Sequence, residues 1–476
     1  MVLESGAFAH HIERFNAMED ESLVQLIPNA RAWEWLVASA PLFECPDTQL
    51  TETYYFRWWS FRKHLKQTPQ GRILTEFLAP VRHAGAFNSI SCALGHHIAE
   101  GRWLRETALL DEYVAFWFRG NEGKPQPHFH KFSGWVPAAL EARGNVTGSH
   151  ALFTTLLEDM IADFHAWEKE RLAPEGLFWQ HDVKDGMEES ISGSRTVQNL
   201  RPTINAYMVA SAAALGRVGK RPEFIARSRE LIAKTQALLW DEKAQFFKVR
   251  RPDGSLSDAR EAIGFVPWQF GIAERKHSAA WAQLTDPQGF AAPFGLTTAE
   301  RRHPKFRTHG TGKCEWDGAL WPFATSQTLT GLASALRRFN NLPIPRRAWF
   351  DAFLTYARSH QREGKPYIGE YQDETTGVWI KGEERSRYYN HSTFADLLIT
   401  GLVGLTPRAD QKIEVDPLLP EGTWPWFCLD GVGYHGRLLT ILWDATGRRY
   451  GRGAGLQVLA DGKKLGQSNR LRKLIV

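Results

Sequence analysis

Residues 203–240 read TINAYMVASAAALGRVGKRPEFIARSRELIAKTQALLW, a pattern that predicts two helices joined by a short turn. Apolar side chains recur with helical spacing through 203–215. Two glycines and a proline interrupt this pattern between positions 216 and 222. Helical spacing then resumes over 223–240. The sequence therefore predicts a helix hairpin here.

The same hairpin rhythm returns along most of the chain. Residues 151–170 predict an amphipathic helix, and 325–339 and 346–360 predict two helices joined by NNLPIP. A further helix is predicted over 391–405. Helical periodicity dominates from about residue 10 to 408. Helix hairpins in series indicate a mainly α domain built as a ring of paired helices.

Long polar loops separate these helices. They are rich in Gly, Pro, Trp, Asp, Glu and His, and they span residues 119–131, 173–202, 241–262, 286–317 and 361–390. Loops of this length inside a compact domain are usually functional. We expect them to build a pocket at one mouth of the ring.

The pattern changes after residue 408. KIEVDPLL (412–419), RLLTILWD (437–444) and GLQVLADGKKLG (455–466) alternate or carry β-branched residues, as strands do. The sequence therefore predicts a ring of paired helices over 1–408 and a small antiparallel β module over 409–476, packed against it.

Charge and hydropathy exclude several classes of function. The 476 residues include 58 basic and 53 acidic side chains, a net charge of +5, without a basic tract of the kind that binds nucleic acid. No apolar run is long enough for a membrane span. The N-terminus lacks a signal-peptide pattern. The protein is therefore expected in the cytoplasm, or outside it if a signal peptide has been removed; the oligomeric state stays open.

Aromatic content is the unusual feature. There are 19 Trp, 28 Phe and 11 Tyr, and many of the Trp residues stand beside polar and charged ones. Flat aromatic faces next to hydrogen-bonding groups suit a sugar ring, while a Trp-rich core is the structural alternative. The overall pattern favours a carbohydrate substrate.

Two loop segments carry carboxylates suited to glycoside hydrolysis. LFWQHDVKDGMEESISGS (177–194) contains Asp185 and Glu188, and KPYIGEYQDETTGVW (365–379) contains Glu370. The reaction needs one protonated carboxyl for the leaving oxygen and one ionised carboxylate as base or nucleophile. A Trp-lined wall would keep the first protonated.

These segments resemble motifs of glycoside hydrolase family 63 and the related mannosylglycerate hydrolases. Residues 185–190 (DGMEES) resemble the family's S-G-M-D-N-S loop, which implies that Glu188 is the general acid. Residues 369–377 resemble its E-x-Y-x-x-x-T-G stretch, which implies that Glu370 is the general base. Residues 315–322 (EWDGALWP) are similar to its W-R-G-P-x-W stretch. The resemblance implies an (α/α)6 toroid and inverting hydrolysis of α-linked glucosyl or mannosyl groups.

Three positions depart from the family pattern. Glu188 replaces an Asp, Asp317 replaces an Arg, and Ala319 replaces a Pro. These departures leave a non-catalytic carbohydrate-binding protein as an alternative. A toroidal sugar epimerase or polysaccharide lyase is another, and paired His groups in the cavity without facing carboxylates would support it.

The substrate-binding candidates are aromatic and polar residues in or beside these segments. They are Arg57, Trp58, Trp135, Trp179, Gln180, Asp185, Trp316, Asp317, Trp321 and Tyr371. Asn390 and His391 are interpreted as the N-cap of the following helix. The histidine pairs at 96–97 and 128/130 lack metal-binding spacing, so neither a metal nor a cofactor is predicted.

Overall fold

A computed structural model describes residues 2–310 and 313–476. Its α-helices are α1 Ala9–Asn16, α2 Ala32–Ser39, α3 Thr48–Lys63, α4 Leu94–Gly101, α5 Ala108–Arg119, α6 Val136–Thr147, α7 Ala151–Thr155, α8 Leu157–Arg171, α9 Asp182–Asp185, α10 Pro202–Arg217, α11 Pro222–Leu239, α12 Val266–Gln269, α13 Pro322–Arg338, α14 Arg346–Arg358, α15 Glu383–Ser386 and α16 Ala395–Leu397. Short 3₁₀ helices cover Ser5–Phe8, Asn29–Arg31, Arg82–Ala84, Phe129–Lys131, Ala262–Phe265 and Arg275–Gln283, and a π-helix covers Leu398–Val403. Within these described residues, no helix combines the length and apolarity needed to cross a bilayer.

The strands are short except near the C-terminus. They are β1 Leu42–Glu44, β2 Leu65–Thr68, β3 Gly71–Leu74, β4 Trp179–Gln180, β5 Asn199–Leu200, β6 Trp240–Asp241, β7 Phe246–Phe247, β8 Ala291–Ala292, β9 Gly295–Leu296, β10 Gln361–Arg362, β11 Lys365–Pro366, β12 Leu405–Thr406, β13 Glu414–Val415, β14 Trp426–Tyr434, β15 Arg437–Asp444, β16 Gly455–Ala460, β17 Lys463–Ser468 and β18 Leu474–Ile475.

The helices form an α/α toroid with inner and outer members. Helices α3, α10 and α13 are buried on almost every side, as expected of apolar or small-residue helices at the centre of a domain. Helices α8 and α11 bury one face. The outer helix α11 packs along α10, and α14 packs along both α13 and α3. The predicted mainly α, toroidal fold is confirmed.

The hairpin predicted over 203–240 forms α10 and α11. Each helix begins with a proline, Pro202 or Pro222, at a position whose N–H would have no partner within the helix. Two predicted helices differ from the structure. The helix predicted over 151–170 is interrupted at Leu156, which separates α7 from α8. The helix predicted over 391–405 begins later, at Ala395.

A carboxylate from another helix caps α16. The buried Glu100 of α4 accepts hydrogen bonds from the backbone N–H groups of residues 394–396, at 2.8–3.2 Å. A negative charge here also complements the helix dipole. The N-cap interpretation of Asn390 and His391 was therefore wrong, because Glu100 supplies these acceptors from far along the chain.

The C-terminal strands form an antiparallel sheet with the order β1-β14-β15-β16-β17. Strand β1 comes from the N-terminal part of the chain, and its Leu42 pairs with Asp430 of β14. A second sheet has the order β12-β13-β18 and begins at Leu405. Both sheets therefore draw strands from before residue 409, and the predicted boundary between 408 and 409 stays a prediction.

Candidate active site

Glu188 and Glu370 line the same cavity. Its lining residues come from six separate segments of the chain. Its lining residues are Glu76, Phe77, His83, Ile90, Cys92, Phe132, Gly186, Glu188, Cys314, Trp321, Phe323, Glu370, Arg385, Tyr389 and His391. Two carboxylates from distant loops thus face one shared space.

A left-handed turn after α9 presents Glu188 to the cavity. Gly186 ends α9 with φ of +71°, a conformation that favours glycine. A Cβ at this position would lie 2.3 Å from the Sγ of Cys92, so the close approach also requires glycine. The following Met187 is buried, and the side chain of Glu188 is half-buried beside the cavity.

Arg385 holds the carboxylate of Glu370. Arg385 Nη2 donates to Glu370 Oε1 at 3.0 Å, and Ser386 Oγ donates to Oε2 at 3.5 Å. Glu370 itself is 3% exposed. The ion pair gives this buried carboxylate a positive partner, which a buried charge requires.

An aromatic stack joins the loops that carry Glu188 and Glu370. Trp321 stacks on Trp316 with ring centroids 4.5 Å apart, and on Tyr371 at 4.8 Å. The backbone N–H of Trp316 donates to the carbonyl oxygen of Glu188 at 3.4 Å. Backbone hydrogen bonds of 2.9 Å run in both directions between Leu320 and Gln372. The segment 316–321 therefore fixes the Glu188 and Glu370 loops relative to each other.

The two glutamates have different electrostatic surroundings. Burial raises the pKa of Glu188 to about 7, and the negative charge of Glu370 adds to this rise. Burial also raises the pKa of Glu370, but the positive charges of Arg385 and Lys381 oppose the rise. Glu188 is therefore suited to carry a proton near neutral pH, while the pairing with Arg385 favours the ionised form of Glu370.

Sequence reasoning missed several cavity residues. Glu76 is a third carboxyl, and Arg385 and Tyr389 come from the loop predicted to be functional. His83, Cys92, Cys314 and His391 also line the cavity. Glu76 gave no local signal, because it follows the ordinary hairpin β2–β3 and reaches the cavity through tertiary packing. Arg385 belongs to the charged run EER (383–385), a pattern that is typical of solvated surface.

Arg57 and Trp58, predicted to bind substrate, lie outside the cavity lining. Both belong to α3 and are buried. Arg57 Nη2 donates to the carbonyl oxygen of Ser392 at 2.7 Å, and Nη1 donates to the hydroxyl of Tyr356 at 3.2 Å. Arg57 therefore connects inner and outer parts of the toroid, and a sugar contact is not proposed for either residue.

Trp135, Trp179 and Gln180 also lie outside the lining of the cavity that holds Glu188 and Glu370. Trp135 packs against His96 and lines a different cavity. The guanidinium of Arg171 covers the ring of half-buried Trp179 at 4.3 Å. Gln180 Nε2 donates to Ser133 Oγ at 3.1 Å. Each polar or aromatic group already has a protein partner, which the local sequence could not reveal.

Asp185 and Asp317 are buried carboxylates that pair with other side chains of the protein. Asp185 pairs with Arg201 at 2.6 Å, and neither side chain is exposed. Asp317 accepts hydrogen bonds from the backbone N–H and the Nδ1 of His309, both at 2.9 Å. Of the ten predicted substrate-binding residues, Trp321 lines the cavity, and Trp316 and Tyr371 stack on it.

The histidine at position 97 makes structural contacts. His97 Nε2 donates to the carbonyl oxygen of Asn390 at 2.6 Å, so its Nδ1 accepts from the hydroxyl of Tyr113 at 2.9 Å. Within residues 2–310 and 313–476, no group of three or more His, Cys, Asp or Glu side chains is arranged to hold a metal ion.

A family model decides what kind of protein this is. The mannosylglycerate hydrolase MGH1-like glycoside hydrolase domain matches residues 86–392, which include Glu188 and Glu370. The chain belongs to this family. It is therefore a glycosidase. The MGH1-like assignment does not favour the epimerase, the lyase or the purely sugar-binding alternative. Residues 407–466 match the C-terminal domain of glycosyl hydrolase family 65.

Solved structures resemble this MGH1-like glycosidase to different degrees. A protein named "Sialidase" is 48% identical with a TM-score of 0.98. The match covers 99% of this chain and 44% of that one, so the chain spans less than half the length of this relative.

Two distant structures share the fold. The family 63 mannosylglycerate hydrolase from Thermus thermophilus, in complex with Tris, is 13% identical with a TM-score of 0.54, over 73% of this chain and 100% of that one. The family 78 rhamnosidase of Bacillus sp. GL1 is 13% identical with a TM-score of 0.55, over 85% of this chain and 40% of that one. At this level of identity, these likenesses show the fold alone.

Proposed function

We propose that this glycosidase hydrolyses a small glycoside with inversion, with Glu188 as general acid and Glu370 as general base. Glu188 donates its proton to the leaving glycosidic oxygen. Glu370 removes a proton from a water molecule that attacks the anomeric carbon from the opposite face. The products are the leaving alcohol and the free sugar; Glu188 is then ionised and Glu370 protonated, and proton exchange with the solvent restores both groups.

The observation that carries this proposal is the shared cavity with its unequal carboxyls. Both glutamates line it, yet Arg385 pairs with Glu370 while burial raises the pKa of Glu188 to about 7. A general acid needs a pKa near the working pH, and a general base must be ionised. The environments therefore support different roles for the two groups.

An α-linked glucosyl or mannosyl group is the proposed substrate. The family match and the motif resemblance of residues 185–190 and 369–377 support this class. The edge of Trp321, whose ring is stacked between Trp316 and Tyr371, adds apolar surface to the cavity wall for the C–H side of a pyranose.

A sialoside is the second candidate substrate. It is favoured by the name of the 48% identical relative, and the guanidinium of Arg385 could bind a sugar carboxylate. However, Arg385 is already paired with Glu370. The chain also covers 44% of that relative, so the activity in its name need not reside in the matching part.

A hydrolysis screen tests both candidates. The panel contains α- and β-linked disaccharides, mannosylglycerate, glucosylglycerate, aryl glycosides and an aryl sialoside. The configuration of the first product is followed by proton NMR before mutarotation. The wild type is compared with Glu188→Gln and Glu370→Gln, and with the controls Glu189→Gln and Glu363→Gln. Glu189 is a half-buried neighbour paired with Arg195, and Glu363 is exposed.

We expect one substrate to be cleaved with inversion. Loss of general acid–base catalysis should lower kcat/KM by about 10²–10⁴-fold in both cavity variants, while both controls keep wild-type rates. Retention of configuration would contradict the inverting mechanism. Unchanged activity in Glu188→Gln would place the acid elsewhere, and cleavage of the sialoside alone would replace the proposed sugar.

A further inference from the structure

Glu76 is a third carboxyl in the cavity that the two-carboxylate mechanism does not use. It lies two residues after β3 and lines the same space as Glu188 and Glu370. Its backbone carbonyl accepts a hydrogen bond from the N–H of Asn390 at 3.0 Å, and Asn390 Nδ2 donates to the carbonyl oxygen of Thr75 at 3.3 Å. The segment that carries Glu76 is therefore held against residues 388–391.

One oxygen of the Glu76 carboxyl accepts a hydrogen bond, and the other has no hydrogen-bond partner within the described residues. The hydroxyl of Tyr389 donates to Oε1 at 2.6 Å. Oε2 is buried and has no hydrogen-bond partner among the residues that the structure describes. A buried polar atom without a partner costs free energy unless a ligand or a water completes it. Since Glu76 lines the cavity, a bound sugar can supply this partner.

The surroundings of Glu76 disfavour a negative charge. Burial raises its pKa to about 8; the Tyr389 hydrogen bond and the charge of Arg385 oppose this rise, while the charges of Glu370 and Glu188 add to it.

The other titratable groups near Glu76 bring no positive charge at neutral pH. Burial lowers the pKa of His83 and of His391, so both rings are neutral. Burial raises the pKa of the Cys92 thiol and of the Tyr113 phenol, so these two groups are also neutral. Arg385 is the cation of the cavity lining, and it pairs with Glu370 rather than with Glu76.

We propose that Glu76 is a substrate-recognition residue that binds a sugar hydroxyl as a neutral hydrogen-bond donor and takes no part in proton transfer. Because Oε1 accepts from Tyr389, the proton of the neutral acid lies on Oε2, the oxygen that has no hydrogen-bond partner in the described part of the chain. This inference rests on the proposed function for the identity of the ligand, a sugar with a free hydroxyl. It does not rest on the assignment of acid and base.

Glutamine distinguishes this role from catalysis. Its amide has the shape of a protonated carboxyl and keeps both a donor and an acceptor, but it cannot exchange a proton. A neutral donor therefore tolerates Glu76→Gln, whereas a general acid or base does not. Alanine removes both functions, so the pair of variants separates recognition from proton transfer.

The first experiment reads the protonation state without any substrate. Protein labelled with ¹³C at the glutamate side-chain carboxyl is titrated by NMR between about pH 4 and pH 10, and the Glu76 resonance is the one absent from Glu76→Gln. We expect this resonance to titrate near pH 8. In Tyr389→Phe its titration should move to higher pH, because that variant removes the hydrogen bond that opposes the rise in pKa. The same shift assigns the resonance if Glu76→Gln fails to fold. The exposed Glu175 provides the control variant Glu175→Gln. A Glu76 resonance that titrates near the ordinary value of about 4.3 would overturn the proposal.

The second experiment uses the substrate found in the hydrolysis screen. We expect Glu76→Gln to keep kcat/KM within about 3-fold, and Glu76→Ala to raise KM about tenfold or more, as the loss of one hydrogen bond predicts. A loss in Glu76→Gln as large as in Glu188→Gln would make Glu76 a catalytic group, and unchanged kinetics in Glu76→Ala would remove it from the substrate. Failure of the proposed function leaves the NMR titration intact, so the two failures are distinguishable.

Discussion

Asp185 and Arg201 form an ion pair of 2.6 Å in which neither side chain is exposed to solvent. Asp185 lies three residues before Glu188 in the same loop, yet its carboxylate points into the protein and also accepts from the hydroxyl of Thr203. This arrangement separates two neighbouring carboxyls into a structural one and one that faces the cavity. The pair fixes the end of α9, and the turn at Gly186 that follows presents Glu188 to the cavity.

We expect Asp185→Asn to destabilise the fold. Removing one partner leaves the Arg201 guanidinium buried without a counterion, which costs about 3–5 kcal/mol of unfolding free energy. The measurement is urea unfolding at neutral pH, with Asp351→Asn as the control, since Asp351 pairs with Arg347 at an exposed position. Wild-type stability combined with lost hydrolysis would instead indicate that Asp185 contacts the substrate.

The rate should fall on the alkaline side of neutrality. Glu188 must be protonated to act as the acid, and its pKa is raised to about 7 mainly by burial. Above that pH the protonated fraction, and with it kcat/KM, should decrease about tenfold per pH unit. Aryl glycosides with very good leaving groups should lose this dependence, because their leaving oxygen needs no proton. An alkaline limb that starts near pH 10 would exclude Glu188 as the acid.

The acidic limb should respond to Arg385. Its positive charge lowers the pKa of Glu370 against the effect of burial. In Arg385→Met the pKa of Glu370 should rise, so the base stays protonated to higher pH and the acidic limb of kcat/KM moves upward. Arg385→Lys keeps the charge and should move the limb less. The control Arg195→Met removes a cation that pairs with Glu189 and should leave the limb in place.

Trp321 should be replaceable by phenylalanine but not by alanine. Its ring lies between Trp316 and Tyr371, and its Nε1 has no partner within the described chain, so Phe loses stacking area but no such hydrogen bond. Trp321→Ala should cost about 3–5 kcal/mol in unfolding free energy, and it should lower kcat/KM by displacing both catalytic loops. Thermal unfolding and kinetics are measured on both variants. Equal effects of Phe and Ala would mean that the stack positions neither loop.

Local patterns were enough for the hairpin over 203–240 and for two of the cavity carboxyls. The hairpin over 203–240 was predictable because helical spacing and helix breakers act within a few residues of each other. Glu188 and Glu370 were predicted as a pair because each lies in a short contiguous stretch that resembles a family motif, and the structure places both in one cavity.

Distant contacts decided which neighbouring groups reach the cavity. Arg57 and Asp317 look like binding residues in sequence, but Arg57 donates to Ser392, far along the chain, and Asp317 accepts from His309 in its own loop. The helix cap on α16 comes from Glu100, almost three hundred residues earlier in the chain. A hydrogen-bond partner supplied from so far away leaves no trace in local spacing.

The sequence by itself therefore determined the hairpin over 203–240, the class of enzyme and the selection of Glu188 and Glu370 as a pair of carboxyls. The tertiary structure alone decided that Glu76 joins them, that Arg385 neutralises one of them, and that β1 completes the C-terminal sheet. The physical reason is range. Helix formation depends on neighbours along the chain, whereas the charge state of a buried carboxyl depends on every group that folding brings within a few ångströms of it.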